Sequence, residues 1–134
     1  MKSIKFIFVL LVSFSSLLFA QSKDDEAYSL FSKGNEYFNA KNYDNAIVYH
    51  KKALEIYKQI YGETSLYVAD SYFNIGNAYL GKKDVKTAII YHKNALKIYE
   101  QKEGFYHSDT ASTYNSMGWD YLEIADYKNA RWCY

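Results

Sequence analysis

The sequence predicts an all-α fold, a solenoid of helix-turn-helix repeats, from three observations. A 42-residue period runs from Ala27 towards the C-terminus, apolar residues inside each period follow helical spacing, and turn-forming residues recur between the helical stretches. Gly34, Gly76 and Gly118 stand 42 residues apart, and so do Ala27, Ala69 and Ala111, Tyr37, Tyr79 and Tyr121, and Ala46, Ala88 and Ala130. Residues 27–68 align with 69–110 without a gap at 18 identities in 42, among them Tyr49/Tyr91, His50/His92, Ala53/Ala95 and Tyr57/Tyr99. Chance does not give this. A fixed period of this length marks an array whose units bury their apolar faces only against their neighbours.

The first element is of another kind. Met1–Lys5 carries two positive charges, 6–19 is an uncharged, mostly apolar run, and Ala20 precedes the polar residues Gln21–Glu26. That layout is the one a secretory signal peptide has, and it is shorter than a membrane-crossing helix needs. We therefore expect residues 1–20 to be a signal peptide, with an uncleaved anchor as the alternative, and 21–26 to be a polar linker. Repeat 1 then spans 27–68, repeat 2 spans 69–110, and a partial repeat 3 spans 111–134.

Each repeat reads as two helices. Leu30, Gly34 and Tyr37 share one face, as do Tyr72, Gly76 and Tyr79. The second helix carries Ala46, Tyr49, Ala53, Ile56 and Tyr57 in the first copy, and starts after Asn42, Asp84 or Asp126, residues that accept hydrogen bonds from free helix N–H groups. Gly62 and Gly104 follow it and suit a chain reversal. Structural positions are thus Gly34, Tyr37, Ala46, Ala53, Gly76, Tyr79, Ala88, Ala95, Gly118, Tyr121 and Ala130. The small ones let helix axes approach while Tyr, Leu and Ile fill the remaining space.

Composition narrows the function classes. With 134 residues, 49% of them hydrophobic, 6 Gly and no Pro, the chain is neither collagen-like nor disordered. Its single Cys, Cys133, makes no internal disulfide framework. Without Lys2 and Lys5 there remain 14 basic against 15 acidic residues, so no global field draws in nucleic acid. Lys51, Lys52, Lys93, Lys97 and Lys102 interleave with Glu55, Glu100 and Glu103, which predicts a mixed, solvated face. No phosphate loop, zinc-ligand pair or dinucleotide fingerprint is present, and no cofactor is expected. His50 and His92 are equivalent residues of successive second helices, too far apart to share one metal ion, so no metal site is expected. His107 beside Ser108 and Asp109 is no triad, because triad members converge through folding rather than adjacency. The chain is expected not to be an enzyme.

The pattern Leu/Tyr-x-x-x-Gly-x-x-Tyr, then Ala nine residues on and Ala-Leu seven further, resembles the tetratricopeptide repeat. The stretches SYFNIGNAYLGKKDVKTAIIYHKNALKIY and TASTYNSMGWDYLEIADYKNA carry the motif. The 42-residue spacing resembles the long-loop variant of kinesin light chains. Two departures stand out: Lys33 replaces the apolar residue seen at Ile75 and Met117, and the Pro frequent after the second helix is absent. The resemblance implies that first helices line a concave groove for a protein or peptide segment, here of Phe31, Asn35, Phe38, Phe73, Asn74, Asn77, Asn115 and Trp119. For Phe31 and Phe73 the alternative is packing between copies. Some family members clamp a C-terminal carboxylate with cations, but Phe31, Ser112 and Ser116 occupy those positions, so such tails are not expected partners.

The third copy stops inside its second helix, with Ala130, Trp132, Cys133 and Tyr134 apolar at the end. This leads us to expect a fragment of a longer protein or self-association through that end. The overall expectation is an exported, periplasmic or secreted interaction module without a stable membrane span. The alternative is the N-terminal sensory piece of an exported signalling receptor such as a sensor histidine kinase.

Overall fold

The computed structural model describes residues 2–133. It holds six helices, α1 (Lys2–Asn39), α2 (Tyr43–Tyr61), α3 (Leu66–Gly81), α4 (Val85–Lys102), α5 (Ser108–Glu123) and α6 (Tyr127–Ala130). Among the described residues there is no strand. Consecutive helices pack on one another, and α1 also touches α3, so the first helices of repeats 1 and 2 lie side by side. Two differences from the sequence reading concern the ends. The helix α1 runs without a break through residues 1–20's described part and through the expected linker 21–26, because Gln21–Glu26 holds no Gly or Pro to stop it. At the other end α6 has one turn, four residues, and Arg131–Cys133 leaves the helix.

The turns are built by the residues that recur. The side chains of Asn42, Asp84 and Asp126 accept from the backbone N–H three residues on, at 3.3, 3.2 and 3.2 Å, and so start α2, α4 and α6. Gly62 and Gly104 take φ of 85° and 86° to reverse the chain after the second helices. The first helices end differently. Lys41, Lys83 and Ala125 hold φ of 59°, 66° and 58°, the left-handed region, without being glycine. Their bonds, Lys41 N–H to Phe38 C=O and Asn42 N–H to Tyr37 C=O in the first copy, close a Schellman turn.

Packing inside a repeat centres on one contact. His50 and His92 are wholly buried. A Cβ built on Gly34 would stand 2.7 Å from the His50 ring, and one on Gly76 would stand closer still to His92. The glycine on the first helix is therefore the space in which the imidazole of the second helix lies. Around it Ala27, Ala53, Leu54, Tyr57, Val68, Ala69, Ile75, Ala95, Ile98 and Tyr99 form a core shared by repeats 1 and 2. Val85, Ile89, Leu96, Met117, Tyr121 and Ala130 form the core between repeats 2 and 3.

Stacking between repeats also uses a 28-residue step. Lys51 lies over the rings of Tyr79 and Tyr91, at 5.6 and 5.7 Å, and its ammonium donates to the Tyr79 hydroxyl at 3.3 Å. Lys93 lies over Tyr121 at 5.7 Å. Tyr37 stacks on Tyr49 at 5.2 Å and Tyr79 on Tyr91 at 5.4 Å, so each full repeat carries the same ring pair.

Two stability changes follow. Gly76→Ala forces a methyl into the His92 ring and costs about 1–3 kcal/mol in urea unfolding, against a helix-propensity gain of at most about 1 kcal/mol. A more stable variant would show that the ring has room. Lys83→Gly removes left-handed strain and raises stability by about 0.5–1 kcal/mol, and a loss would refute that account of the turn.

Candidate functional site

The first helices α1, α3 and α5 carry the residues expected to face a groove, and the structure sorts them. Trp119 is 61% exposed and Asn115 is exposed, with Tyr28 similarly open at 70%. Phe38 is half-buried edge-on to Tyr43, 5.6 Å between centroids. Asn35 is half-buried. Phe31 and Phe73 lie in the packing: Phe31 meets the His50 ring at 5.1 Å and Tyr57 at 6.3 Å, and Phe73 meets His92 at 5.4 Å. Asn74 turns its amide back to the Asp70 carbonyl of its own helix, at 2.9 Å. Asn77 sets its Oδ1 3.2 Å from His92 Nε2.

That last contact belongs to a relay which the sequence did not disclose. His92 Nδ1 donates to Asp120 Oδ2 at 2.6 Å, and both side chains are wholly buried. Asn77 of α3, His92 of α4 and Asp120 of α5 thus connect both helices of repeat 2 to the first helix of repeat 3. His50, the equivalent residue of repeat 1, differs even though Asn35 holds the place of Asn77. Both of its ring nitrogens are buried without a hydrogen-bond partner. The step of 28 from His92 to Asp120, taken from His50, lands on Ala78, which has nothing to offer.

A second polar pair lies across repeat 2. Tyr99 donates its hydroxyl to Asp70 Oδ1 at 2.5 Å. Burial pushes the Asp70 carboxyl above its ordinary value, opposed by that hydrogen bond, and burial followed by the Asp70 contact pushes the Tyr99 hydroxyl well above the tyrosine range. Tyr57, Tyr61 and Tyr67 stack at the α2–α3 turn, with Tyr57–Tyr67 centroids 5.1 Å and Tyr61–Tyr67 centroids 4.6 Å apart. Burial raises Tyr57 to about 12, and a hydrogen bond to Asp24 does the same for Tyr61.

For metal, the described residues bring Glu103, His107 and Asp109 together at the α4–α5 turn, with ligand atoms within 4.8 Å of one another. Local structure accounts for the arrangement. His107 is the N-cap of α5, its Nδ1 lies 2.8 Å from Glu103 Oε2, and the Asp109 N–H points at the same nitrogen at 3.3 Å. Cys133 is partly buried, its thiol pushed up by that burial, in a cleft of about 310 Å³ with Phe105, Tyr114 and Trp132. Nothing here activates it as a nucleophile.

Charge is divided unevenly between the two helix types, while Glu55 still lies beside Lys51 and Lys58 within the second helices. First helices, from Gln21 on, hold eight carboxylates (Asp24, Asp25, Glu26, Glu36, Asp70, Asp109, Asp120, Glu123) against Lys23 and Lys33. Second helices hold eight lysines (Lys51, Lys52, Lys58, Lys86, Lys93, Lys97, Lys102, Lys128) against Asp44, Glu55 and Glu100. Among the described residues no helix is long and apolar enough to cross a membrane.

The orphaned imidazole makes stability pH-dependent. Burial lowers His50 from 6.5 to about 4, so the folded chain stays unprotonated where the unfolded chain already takes a proton. Stability is therefore lost as pH falls from about 6.5 to 4, by up to about 3 kcal/mol. Urea unfolding at pH 7.0 and 4.5 should show a larger loss for the wild type than for His50→Gln. Equal losses would mean that His50 reaches water.

The comparisons agree with this architecture. The tetratricopeptide repeat profile matches residues 25–101. Among solved structures, BtubC (BKLC) from P. vanneervenii, a kinesin-light-chain-like protein, is similar at 28% identity and a TM-score of 0.74, over 80% of this chain and 43% of that one. The chain therefore spans less than half of that structure. The tetratricopeptide domain of Arabidopsis FLU shares the fold at 21% identity and a TM-score of 0.75, over 84% of this chain and 91% of that one. No curated protein matches significantly. With the family profile covering more than half of the chain, and the 42-residue helix pairs seen in the structure, the chain belongs to the tetratricopeptide repeat family.

Proposed function

We propose that this is a non-catalytic adaptor that holds a protein or peptide segment against its first helices. Tetratricopeptide domains are in general protein-interaction scaffolds, and the finer assignment rests on one observation: Trp119 stands 61% exposed on α5 beside exposed Asn115. A large aromatic next to an amide is the pairing that anchors a peptide, the ring through apolar area and the amide through backbone hydrogen bonds. Asn77 flanks this surface from α3, but its bond to His92 commits it partly to the fold. Phe31 and Phe73 support the surface from beneath through the two histidines. The charged start and apolar run of residues 1–20 assign the adaptor to an exported, periplasmic or secreted setting.

The test is selection of peptides from a random displayed library on the wild-type chain, followed by titration of the winners against Trp119→Ala. Binding should weaken tenfold or more, because a buried aromatic anchor is worth about 2 kcal/mol. Urea stability should move by less than about 0.5 kcal/mol, because the ring is exposed. Winners that bind Trp119→Ala as well as the wild type would remove the groove assignment.

A further inference from the structure

The tyrosine rings of this array are mostly served by its own lysines. Lys33 and Lys52 lie over Tyr49 at 5.2 and 5.3 Å, Lys58 over Tyr72 at 5.5 Å, Lys51 over Tyr79 and Tyr91, and Lys93 over Tyr121. Each ammonium rests against the electron-rich face of a ring. One group of rings has no such cation. Phe105 and Tyr106 of the α4–α5 turn, Tyr114 of α5 and Trp132 line a cleft of about 310 Å³. Among the described residues no lysine or arginine lies over any of these four. Phe105 stands 5.4 Å from Tyr114 and 5.6 Å from Tyr106, with ring planes at 55° and 83°, so these rings are angled to one another rather than stacked.

The repeat itself shows which charge is missing. Tyr114 is the counterpart of Tyr72, 42 residues earlier. Lys58 lies over Tyr72 and is held in turn by Glu63 at 3.3 Å. One period on, Lys58 becomes Glu100, Glu63 becomes Phe105 and Thr64 becomes Tyr106. The cation beside the ring is exchanged for a carboxylate, and the carboxylate that held the cation for a further ring. The Tyr114 hydroxyl donates to Glu100, and that bond pushes Tyr114 up to about 12. The cations nearby are engaged or set apart. Lys93 lies over Tyr121, while Lys128 and Arg131 line a separate cleft that shares only Trp132 with this one.

We propose that this cleft binds a small organic cation carrying a trimethylammonium group, which takes the place that Lys58 fills one repeat earlier. The walls select the kind of cation. A primary ammonium brings three N–H donors, whereas the lining holds four aromatic rings, the Ala111 methyl and the Cys133 thiol but no carboxylate. Glu100, beside Tyr114, already accepts from that hydroxyl. A methylated ammonium leaves no donor unpaired against the rings, and its charge still acts on their faces and on Glu100. The same group heads phosphatidylcholine, and the vesicle arm below separates that source from a free cation. Trp119 is not among the walls, so the site stands apart from the proposed groove.

The probe is choline, titrated into the full chain by isothermal calorimetry. The other arms are the uncharged alcohol in which carbon replaces the choline nitrogen, and sedimentation with phosphatidylcholine vesicles. Choline should bind at least about tenfold tighter than the alcohol, because charge against the ring faces supplies the affinity and apolar area does not. Glu100→Lys rebuilds the arrangement of Lys58 over Tyr72, and this internal ammonium should lower choline affinity about tenfold or more. Trp132→Ala should lower it about fivefold. Both positions are exposed, so the thermal midpoint should stay in place. Equal binding of choline and the alcohol, no binding of choline at millimolar concentration, full affinity in Glu100→Lys, or sedimentation with vesicles without binding of free choline would each overturn the proposal.

Discussion

How closely the two helices of a repeat approach is set by a glycine facing a histidine. At Gly34 and Gly76 the missing side chain is filled by the ring of His50 and His92, and the rings are buried so completely that no water reaches them. The remaining packing adjusts to that separation. Phe31 and Phe73 lie against the rings, Ala53 and Ala95 close the same layer, and the Tyr37–Tyr49 and Tyr79–Tyr91 stacks fill the wider end of each pair. A ring in place of an aliphatic side chain brings two polar nitrogens into the core, and each then needs a partner or costs desolvation.

The two repeats meet that cost differently, although their sequences are nearly the same. His92 reaches Asp120 in the next copy and Asn77 in its own, so the polar group also fastens repeat 2 to repeat 3. His50 faces the same step across to an alanine and stays neutral by burial. In a solenoid each interface is a nearest-neighbour term, so such a difference is felt locally: the junction of repeats 2 and 3 gains a polar tie that the junction of repeats 1 and 2 lacks. The Lys51–Tyr79 and Lys93–Tyr121 contacts work alike at both junctions.

A net charge of +1 conceals a molecule with two sides. Because every copy alternates a first and a second helix, any bias in the charge of one helix type is projected onto one side of the whole array. Carboxylates collect on α1, α3 and α5, and lysines on α2, α4 and α6. Over the few ångströms between neighbouring side chains such a field is felt, whereas over the whole molecule salt screens it. The two helix types of the array therefore differ in the charge they carry.

The amino-acid sequence by itself determined the repeat, the helix pairs and the turns, because these are local: Asn42, Asp84 and Asp126 cap the helix that follows them, and Gly62 and Gly104 reverse the chain where they stand. A 42-residue recurrence says which residues are equivalent, however, and not which ones touch. The contacts that matter at the site run over steps of 15 and 28 residues, between His92 and Asn77 or Asp120, and these follow from helix crossing and curvature. Only the tertiary structure could therefore place Phe31 and Phe73 in the packing, give Asn77 a partner and leave His50 without one.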